Sequence, residues 1–454
     1  MSERKLFGTD GIRGKANIYP MTPEVATALG RAVTHYFQGH TKRKKPLIIV
    51  GKDTRLSCYM FEQAFAAGVC SQGGEVILTG PLPTPGVAFV TESMRADAGV
   101  MISASHNHYS DNGIKIFDNK GRKLPDDVEL KLEELVLNLQ LMPVKVGGEL
   151  GNAKRLREVF GRYLVHVKST IDSSCKMDQM RVVLDCANGA GYKVAPMMFD
   201  ELGAEVVTLG VNPNGQNINL NCGSLHPELA AEQVKTYRAD LGICLDGDAD
   251  RVLIIDDQGD VVDGDALIGL FAKLLLDTGR LKKGDTIVGT VMSNLGLENY
   301  IKSLGLKFHR TKVGDRYIVE YMRDNNSILG GEPSGHVIFG EHATTGDGCL
   351  AALKAIEAMK FYKKSIKELT QEITLFPHVV KNLIVREKKP LDSVPSIVKA
   401  VKEIEDSLGS KGRILLRYSG TEPLARVMVE GESLTEVNEL CDKLIDVVKK
   451  ELGK

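Results

Sequence analysis

Three stretches of the chain repeat one alternation of short apolar runs and longer amphipathic segments. Short apolar runs bounded by polar turns are typical of buried strands, and the longer periodic segments are typical of helices. This alternation predicts three successive βαβ units and therefore parallel sheets covered by helices. The predicted strands are 47–50, 75–78 and 98–102 in the first unit, 182–185, 205–209 and 241–245 in the second, and 286–289, 307–310 and 327–329 in the third.

The C-terminal part of the chain has a different pattern. Two short strands, 413–416 and 426–430, flank the polar turn 417–423, and residues 434–452 have the spacing of an amphipathic helix. This pattern predicts a smaller α+β domain after three similar α/β domains. The expected domains are 1–157, 158–257, 258–371 and 372–454.

A dense polar loop follows the third strand of each repeated unit. Because ligands of open α/β sheets bind beyond the carboxyl ends of the strands, we expect these three equivalent loops to converge on one cleft. The loops are Ser103-Ala-Ser-His-Asn107, Asp246-Gly-Asp-Ala-Asp-Arg251 and Gly331-Glu-Pro-Ser-Gly-His336.

The second loop carries aspartates at three alternate positions, Asp246, Asp248 and Asp250, directly after the apolar run 241–245. Carboxylates so close together repel one another unless a positive charge lies between them. A hard divalent cation with oxygen ligands meets that need, and Mg²⁺ is the usual ion where a phosphate completes the shell. A calcium-binding EF-hand loop does not fit, since its sixth and twelfth positions would be Arg251 and Asp257 instead of Gly and Glu. The alternative is a solvated acidic turn.

Other polar segments carry residues suited to catalysis or binding, but a segment considered alone can also be read as an ordinary turn. A serine beside His106 and Asn107 suits a nucleophile, but the same loop could be a polar turn whose hydroxyls satisfy backbone groups. The turn 417–421 could hold a phosphate through an arginine, hydroxyls and backbone N–H groups, or be a simple β-turn. The loop 331–336 offers a carboxylate, a hydroxyl and an imidazole suited to sugar hydroxyls. A hydrolase nucleophile elbow, a P-loop and a dinucleotide fingerprint are all missing from the sequence.

Length and charge narrow the class of protein. A chain of 454 residues exceeds what one core supports, and a net charge of −1 provides no global attraction for nucleic acid or acidic membranes. The eight cysteines show no paired spacing, as expected of free thiols in a reducing compartment. Residues 1–14 lack the apolar core of a signal peptide, and no apolar stretch approaches the length of a transmembrane helix. We therefore expect a cytoplasmic protein without nucleic-acid or membrane partners.

Taken together, the polar segments resemble those of the α-D-phosphohexomutases over essentially the whole chain. The resemblance rests on Phe7-Gly-Thr-Asp-Gly-Ile-Arg-Gly14, on the three strand-end loops with Asp111-Asn-Gly-Ile-Lys115, and on Arg417 to Pro423. The opening motif, the Ser-Ala-Ser sequence and Thr345-Gly-Asp-Gly348 are similar to the branch that interconverts glucosamine 6-phosphate and glucosamine 1-phosphate. That branch supplies the synthesis of amino-sugar nucleotides and cell-wall precursors.

The resemblance implies an α/β fold of four domains around a central cleft and a phosphoryl group carried on Ser105. It implies Mg²⁺ held by Asp246, Asp248, Asp250 and the phosphoserine, and a sugar bisphosphate as intermediate and activator. It further implies a set of residues that stabilise charge or transfer protons, Arg13, Lys115 and His336, and a set that binds the substrate, Arg251, Glu332, Ser334, Arg417, Ser419, Gly420, Thr421 and Arg426. It also allows a homodimer.

Two positions depart from the family pattern and leave the preferred sugar open. His108 stands where the family often has proline, and Pro333 stands where Gln, Asn or Met is common. Phosphoglucomutase or phosphomannomutase activity is the nearest alternative. A catalytically silent sugar-phosphate sensor is the alternative of another class, although such a sensor would have no need to keep Ser105 and all three aspartates.

Overall fold

The computed structural model describes residues 5–8, 10–156, 158–419 and 423–454. Within these residues the strands form four sheets, of six, five, four and three strands. The first three sheets mix parallel and antiparallel pairs and carry helices, whereas the fourth is antiparallel throughout. The predicted α/β fold of three similar units and one smaller unit is therefore confirmed. The boundaries at 157, 257 and 371 stay predictions.

The first unit is built around a six-stranded sheet. Its strands are β1 (Ile12–Lys15), β2 (Leu47–Lys52), β3 (Glu75–Pro81), β4 (Ala98–Ile102), β5 (Asp111–Phe117) and β6 (Asn152–Arg155), and its helices are α1 (Pro23–Gln38), α2 (Leu56–Ser71), α3 (Thr84–Ser93) and α4 (Asp126–Leu137). The strand order is β1-β5-β4-β2-β3-β6. Every residue of the inner strand β2 is buried, as expected of a strand covered by helices on both faces.

The second and third units follow the same plan and share one apolar core, in which Phe271 and Leu353 lie with Leu245. The second unit contains α5 (Phe160–Lys168), β7 (Arg181–Asp185), α6 (Val194–Glu201), β8 (Glu205–Leu209), α7 (Glu228–Tyr237), β9 (Leu241–Leu245), β10 (Val252–Ile255) and β11 (Val261–Val262). The third contains α8 (Gly264–Asp277), β12 (Thr286–Thr290), α9 (Leu295–Ser303), β13 (Lys307–Thr311), α10 (Asp315–Asn325), β14 (Leu329–Gly331), β15 (Val337–Phe339), α11 (Gly348–Tyr362) and α12 (Ile366–Thr370).

All three sheets share one strand arrangement. The first predicted strand lies between the other two, in the orders β4-β2-β3, β9-β7-β8 and β14-β12-β13. The third strand in each case pairs with an antiparallel strand that follows it, β5, β10 or β15. The three polar loops are therefore equivalent connections within three equivalent hairpins, as the repeated sequence pattern predicted.

The fourth unit consists of β16 (His378–Ile384), α13 (Pro395–Leu408), β17 (Gly412–Tyr418), β18 (Leu424–Gly431) and α14 (Leu434–Leu452). It packs on the third unit through polar contacts beside the loop after β12. Arg413 donates hydrogen bonds to the carbonyl oxygens of Val291 (2.7 Å) and Ser293 (2.5 Å). The Glu430 carboxylate accepts from the backbone N–H of Leu295 (2.6 Å) at the start of α9.

Strands β1, β6, β11, β15 and β16 were not anticipated. Each lies at an edge of its sheet. In β6 all four residues are exposed, so the strand has no apolar run by which to recognise it. In the described part of the chain, no helix combines the length and apolar character needed to cross a membrane.

Helices α1 and α2 cross at two glycines, with their backbones in close contact. A Cβ atom on Gly30 would lie 2.3 Å from the carbonyl oxygen of Phe65, and one on Gly68 would lie 2.1 Å from that of Thr27. Both distances are far below van der Waals contact, so any side chain at either position must push the helices apart. This crossing fixes two of the helices that cover the first sheet.

We expect Gly68→Ala to destabilise the protein by about 1–3 kcal/mol. The added methyl group would collide with a backbone carbonyl group, which cannot move away by a change of rotamer. The matched control is Gly161→Ala in α5, where no atom lies within 4 Å of the added Cβ. That variant should be unchanged or slightly more stable, since alanine is the better helix former. Denaturant unfolding measures both, and equal stabilities for the two variants would contradict the close crossing.

Candidate active site

Ser105 lies in the loop between β4 and β5, with its hydroxyl group directed at the aspartate loop of the second unit. Its Oγ donates a hydrogen bond to Asp246 Oδ2 at 2.6 Å and lies 3.2 Å from Nδ1 of His106. Ser105 also borders a cavity of about 730 Å³ that is lined by residues of the first, second and third units. The hydroxyl of Ser105 is thus placed where a ligand in this cavity could reach it.

The neighbouring Ser103 occupies a different environment. Its Oγ donates to Asp53 Oδ2 at 2.6 Å and accepts from the backbone N–H of Ser105 at 2.9 Å, and the residue is fully buried. Since its hydroxyl group is engaged on both sides and does not border the cavity, the geometry favours Ser105 over Ser103 as the nucleophile.

The three aspartates of the 246–250 loop form a compact, buried set of oxygen ligands. One oxygen from each of Asp246, Asp248 and Asp250 lies within 4.8 Å of the others. Asp248 Oδ1 and Asp250 Oδ1 are buried and have no hydrogen-bond partner among the described residues. Burial, together with repulsion from Asp250 and Asp248, raises the pKa of Asp246 well above its usual range. Orphaned carboxylate oxygens under mutual repulsion fit a divalent cation such as Mg²⁺, with the Ser105 oxygen as a further ligand.

Lys115 brings positive charge to the aspartates from strand β5. Its ammonium nitrogen lies 2.9 Å from Asp248 Oδ2, 3.3 Å from Asp10 Oδ2 and 3.6 Å from Asp250 Oδ2. Burial disfavours the charged lysine, but Asp10, Asp248 and Asp250 outweigh burial and raise its pKa. Lys115 is therefore a permanent cation at neutral pH.

Two arginines border the same cavity as Ser105. Arg13 pairs with Asp10, and its Nε is buried without a hydrogen-bond partner among the described residues. Arg251 Nε lies 3.8 Å from Asp250 Oδ1 and is likewise buried without a hydrogen bond in this part of the structure. Burial and the two arginines lower the pKa of His106 to about 4, so this imidazole is neutral near pH 7.

The third strand-end loop places Glu332 and His336 on the cavity wall. His336 lies between two carboxylates, 3.7 Å from Asp250 and 3.4 Å from Asp315, which raise its pKa to about 10 against the effect of burial. The Glu332 carboxylate accepts from the backbone N–H of Gly314 at 3.1 Å, and Ser334 Oγ lies 3.4 Å from Glu332 Oε2. Ser334 borders an adjoining cavity of about 250 Å³.

Of the predicted phosphate-binding residues in the fourth unit, the three that the structure describes, Arg417, Ser419 and Arg426, do not border the cavity beside Ser105. Arg417 and Arg426 stand directly opposite each other on β17 and β18. Burial, followed by the charge of Arg426, lowers the pKa of Arg417. Ser419 is buried at the end of β17, and the Lys388 ammonium donates to its carbonyl oxygen at 2.6 Å. Gly420 and Thr421 lie outside the described residues.

Several residues of the site were missed by reasoning from the sequence. Asp10 pairs with three cations of the site, Arg13, Lys115 and Lys123, although it lies inside the recognised opening motif. Thr84 donates from Oγ1 to Asp248 Oδ2 at 2.6 Å. Asp53 and Arg55 form hydrogen bonds with the Ser105 loop, through Ser103 Oγ and the carbonyl oxygen of Ser105. The rule that singled out the three loops could have found Asp53, because it directly follows strand β2.

Comparison with known proteins gives one family over the whole chain. The models of phosphoglucomutase/phosphomannomutase alpha/beta/alpha domains I, II and III match residues 4–141, 161–259 and 263–376, and the model of the C-terminal domain matches residues 381–447. A phosphoglucosamine mutase of Pelobacter propionicus is 51% identical over 452 residues, which cover 99% of each chain. One of Desulfotalea psychrophila is 52% identical over 448 residues, 98% of this chain and 99% of the relative.

Solved structures show the same fold at lower sequence identity. A phosphoglucomutase/phosphomannomutase family protein from Burkholderia thailandensis aligns over 99% of both chains with a TM-score of 0.82 and 22% identity. The N-acetylphosphoglucosamine mutase of Aspergillus fumigatus, solved with GlcNAc-6P and magnesium, aligns over 99% of this chain and 96% of its own with a TM-score of 0.70 and 18% identity.

We expect Asp248→Asn to weaken Mg²⁺ binding by at least about 10-fold, because loss of a direct ligand should cost no less than loss of a residue that supports one. The control is Asp257→Asn, which removes an exposed carboxylate seven residues beyond Asp250. Isothermal titration calorimetry with MgCl₂ measures both affinities, and thermal unfolding reports that the fold is retained. Equal affinities for the two variants would show that the cation binds elsewhere.

Proposed function

The chain belongs to the phosphoglucomutase/phosphomannomutase family, and we propose that it acts as a phosphoglucosamine mutase, which interconverts glucosamine 6-phosphate and glucosamine 1-phosphate. The observation that carries this proposal is the position of the Ser105 hydroxyl, 2.6 Å from Asp246 in the triad of Asp246, Asp248 and Asp250. The other two aspartates of this triad each have a buried oxygen without a hydrogen-bond partner among the described residues. Relatives of the same name at about half identity support the choice of sugar.

In the proposed reaction Ser105 carries the phosphoryl group. Attack by a hydroxyl oxygen of the sugar phosphate forms a new P–O bond, breaks the bond to Ser105 and gives a sugar bisphosphate. The bisphosphate turns over within the site and returns its other phosphoryl group to Ser105. Such transfer depends on positioning and on neutralising the charge of the moving group. The phosphoserine itself carries about −1.5 to −2 charge at neutral pH.

Charge neutralisation falls to cations already at the site. Arg13 and Lys115 are permanent cations beside Ser105 and the triad, and His336 lies against Asp250. We assign to these three side chains the stabilisation of the transferring group. The proton of the attacking hydroxyl ends on the Ser105 oxygen, which leaves as the new P–O bond forms. Mg²⁺ bound by Asp246, Asp248 and Asp250 would supply further neutralisation when present.

Sugar recognition is proposed for Glu332 and Ser334. A carboxylate accepts hydrogen bonds from sugar hydroxyls and from an amino group, and the serine hydroxyl both donates and accepts. The backbone contact of Glu332 with Gly314 fixes the carboxylate on the cavity wall. Arg251 borders both this cavity and the adjoining one beside Ser334, and we assign it to substrate binding.

A separate holder must bind whichever phosphate is not reacting. We propose Arg417, Ser419, Gly420, Thr421 and Arg426 for this role. Arg417 and Arg426 are directly opposed on neighbouring strands, so two guanidinium groups lie side by side at the same end of the sheet. A planar guanidinium can grip a phosphate through two hydrogen bonds.

The setting of the enzyme is proposed to be the cytoplasm, where it supplies amino-sugar nucleotide and cell-wall precursor synthesis. All eight cysteines are free thiols, and seven are buried, which suits a reducing compartment.

Ser105→Ala should abolish phosphorylation and lower mutase activity by roughly 10³-fold or more, because the covalent carrier is lost. Peptide mass spectrometry of the wild type should place the phosphate on Ser105, and Ser110→Ala in the same loop should keep it.

Assays with glucosamine, glucose and mannose phosphates on the wild type should show the highest kcat/KM with glucosamine phosphate. A higher value with glucose or mannose phosphate would reassign the enzyme to phosphoglucomutase or phosphomannomutase.

Arg417→Ala should weaken binding of both the 6-phosphate and the 1-phosphate by about 10- to 100-fold, the worth of a charge-assisted hydrogen bond. Because a poorly held bisphosphate escapes, the variant should also lose its Ser105 phosphate during turnover and depend on added sugar bisphosphate. Lys402→Ala, an exposed cation in the same unit, is the control. Unchanged affinity without bisphosphate dependence would place the phosphate holder elsewhere.

A further inference from the structure

Arg55 is a fully buried arginine that binds the backbone of the Ser105 loop from behind. Its guanidinium donates hydrogen bonds to three carbonyl oxygens of that loop, those of Ser105 (2.8 Å), Asn107 (2.8 Å) and His108 (2.5 Å). The remaining interaction, from Nε, goes to Asp53 Oδ2 at 2.9 Å. The planar guanidinium therefore binds three carbonyl groups of one loop at the same time.

Asp53 connects Arg55 to the other side of the same loop. Its Oδ2 also accepts from Ser103 Oγ (2.6 Å), and Ser103 Oγ in turn accepts from the backbone N–H of Ser105 (2.9 Å). Its Oδ1 accepts from the backbone N–H of Arg55 (2.9 Å). Arg55, Asp53 and Ser103, which we call the support chain, thus hold both the N–H and the C=O of Ser105.

The conformation of Ser105 explains why both ends of the residue need support. Ser105 has φ = 53°, in the left-handed region that residues with a Cβ avoid. Its carbonyl oxygen accepts a second hydrogen bond, from Asn219 of the second unit at 2.9 Å. With its N–H and C=O both fixed, the side chain of Ser105 points at Asp246.

The support chain has no net charge to offer the reaction. Arg55 and Asp53 form an ion pair with both side chains fully buried, so their opposite charges largely cancel beyond the pair. None of the three residues borders the cavity beside Ser105. Their influence on a phosphoryl group must therefore pass through the orientation of the loop.

We propose that the support chain of Arg55, Asp53 and Ser103 is a positioning device that sets the Ser105 oxygen in line for phosphoryl transfer, an inference that rests on the proposed role of Ser105 as phosphoryl carrier. Misplacement of a reacting group by about 1 Å can cost about 100-fold in rate. Loss of a support-chain hydrogen bond should accordingly slow transfer without weakening the binding of the sugar phosphate.

Two disruptive variants and one restoring variant test the support chain with mild changes. Ser103→Ala removes the hydroxyl that links Asp53 to the N–H of Ser105, and Ser103→Thr restores a hydroxyl at that position. Arg55→Lys keeps the charge beside Asp53 but loses the fork that spans three carbonyl groups. Arg155→Lys is the matched control, because Arg155 pairs with Glu62 at the far edge of the same sheet and contacts no part of the Ser105 loop in the described residues.

The measurement is single-turnover transfer from the purified phosphoenzyme to glucosamine 6-phosphate, with the rate constant expressed per phosphorylated Ser105. A purely structural role would reduce the melting temperature or the amplitude of the reaction but leave this rate constant unchanged. We expect Ser103→Ala and Arg55→Lys to lower it about 10- to 100-fold with KM within about threefold of wild type. Ser103→Thr and Arg155→Lys should stay near the wild-type value.

Rate constants within about threefold of wild type for both Ser103→Ala and Arg55→Lys would overturn the inference while leaving the proposed function intact. A large loss in Ser103→Ala that Ser103→Thr fails to restore would overturn the role of the hydroxyl. A wild-type enzyme that turns over without phosphate on Ser105 would overturn the proposed function, and the inference with it.

Discussion

The mutual repulsion of Asp246, Asp248 and Asp250 is the constraint on which the rest of the site depends. Three carboxylates buried within 4.8 Å of one another are unfavourable unless positive charge surrounds them. The positive charge comes from three units. Arg251 belongs to the second unit, which also carries the aspartates. Arg13 and Lys115 belong to the first unit, and His336 belongs to the third. The site is therefore complete only where three units meet, which explains why the polar loops occupy equivalent hairpins of three sheets.

Some carboxylate oxygens of the three aspartates accept hydrogen bonds from the protein and others do not, and this difference determines where a cation can bind. Thr84 and Lys115 engage one oxygen of Asp248 and leave the other buried without a partner in the described residues. Asp246 faces the hydroxyl of Ser105. Because one oxygen of each aspartate lies within 4.8 Å of the others, a divalent cation bound there and a phosphoryl group on Ser105 would stabilise each other. The fixed protein cations balance part of the charge of the triad, and phosphoryl transfer adds more negative charge at the same place.

Much of this arrangement could be predicted from the sequence because short-range patterns encode it. Alternating apolar runs gave the repeated strands, and the position of the polar loops after the third strand gave the residues that converge. What the sequence pattern missed depends on long-range contacts. Strand β6 is an exposed edge strand without an apolar pattern, and the contacts of Asp53 and Arg55 with the Ser105 loop join residues about fifty positions apart. The opposition of Arg417 and Arg426 required the register of β17 and β18.

We propose that a divalent cation binds beside a phosphoryl group on Ser105. ³¹P NMR of the phosphoenzyme, titrated with Mn²⁺ in place of Mg²⁺, tests it most directly, because a paramagnetic ion broadens the resonance of a phosphorus atom that it contacts. We expect one equivalent of Mn²⁺ to broaden the phosphoserine resonance beyond detection and EDTA to restore it. A phosphoserine resonance that stays sharp with Mn²⁺ bound would contradict the account, since the cation would then lie away from Ser105.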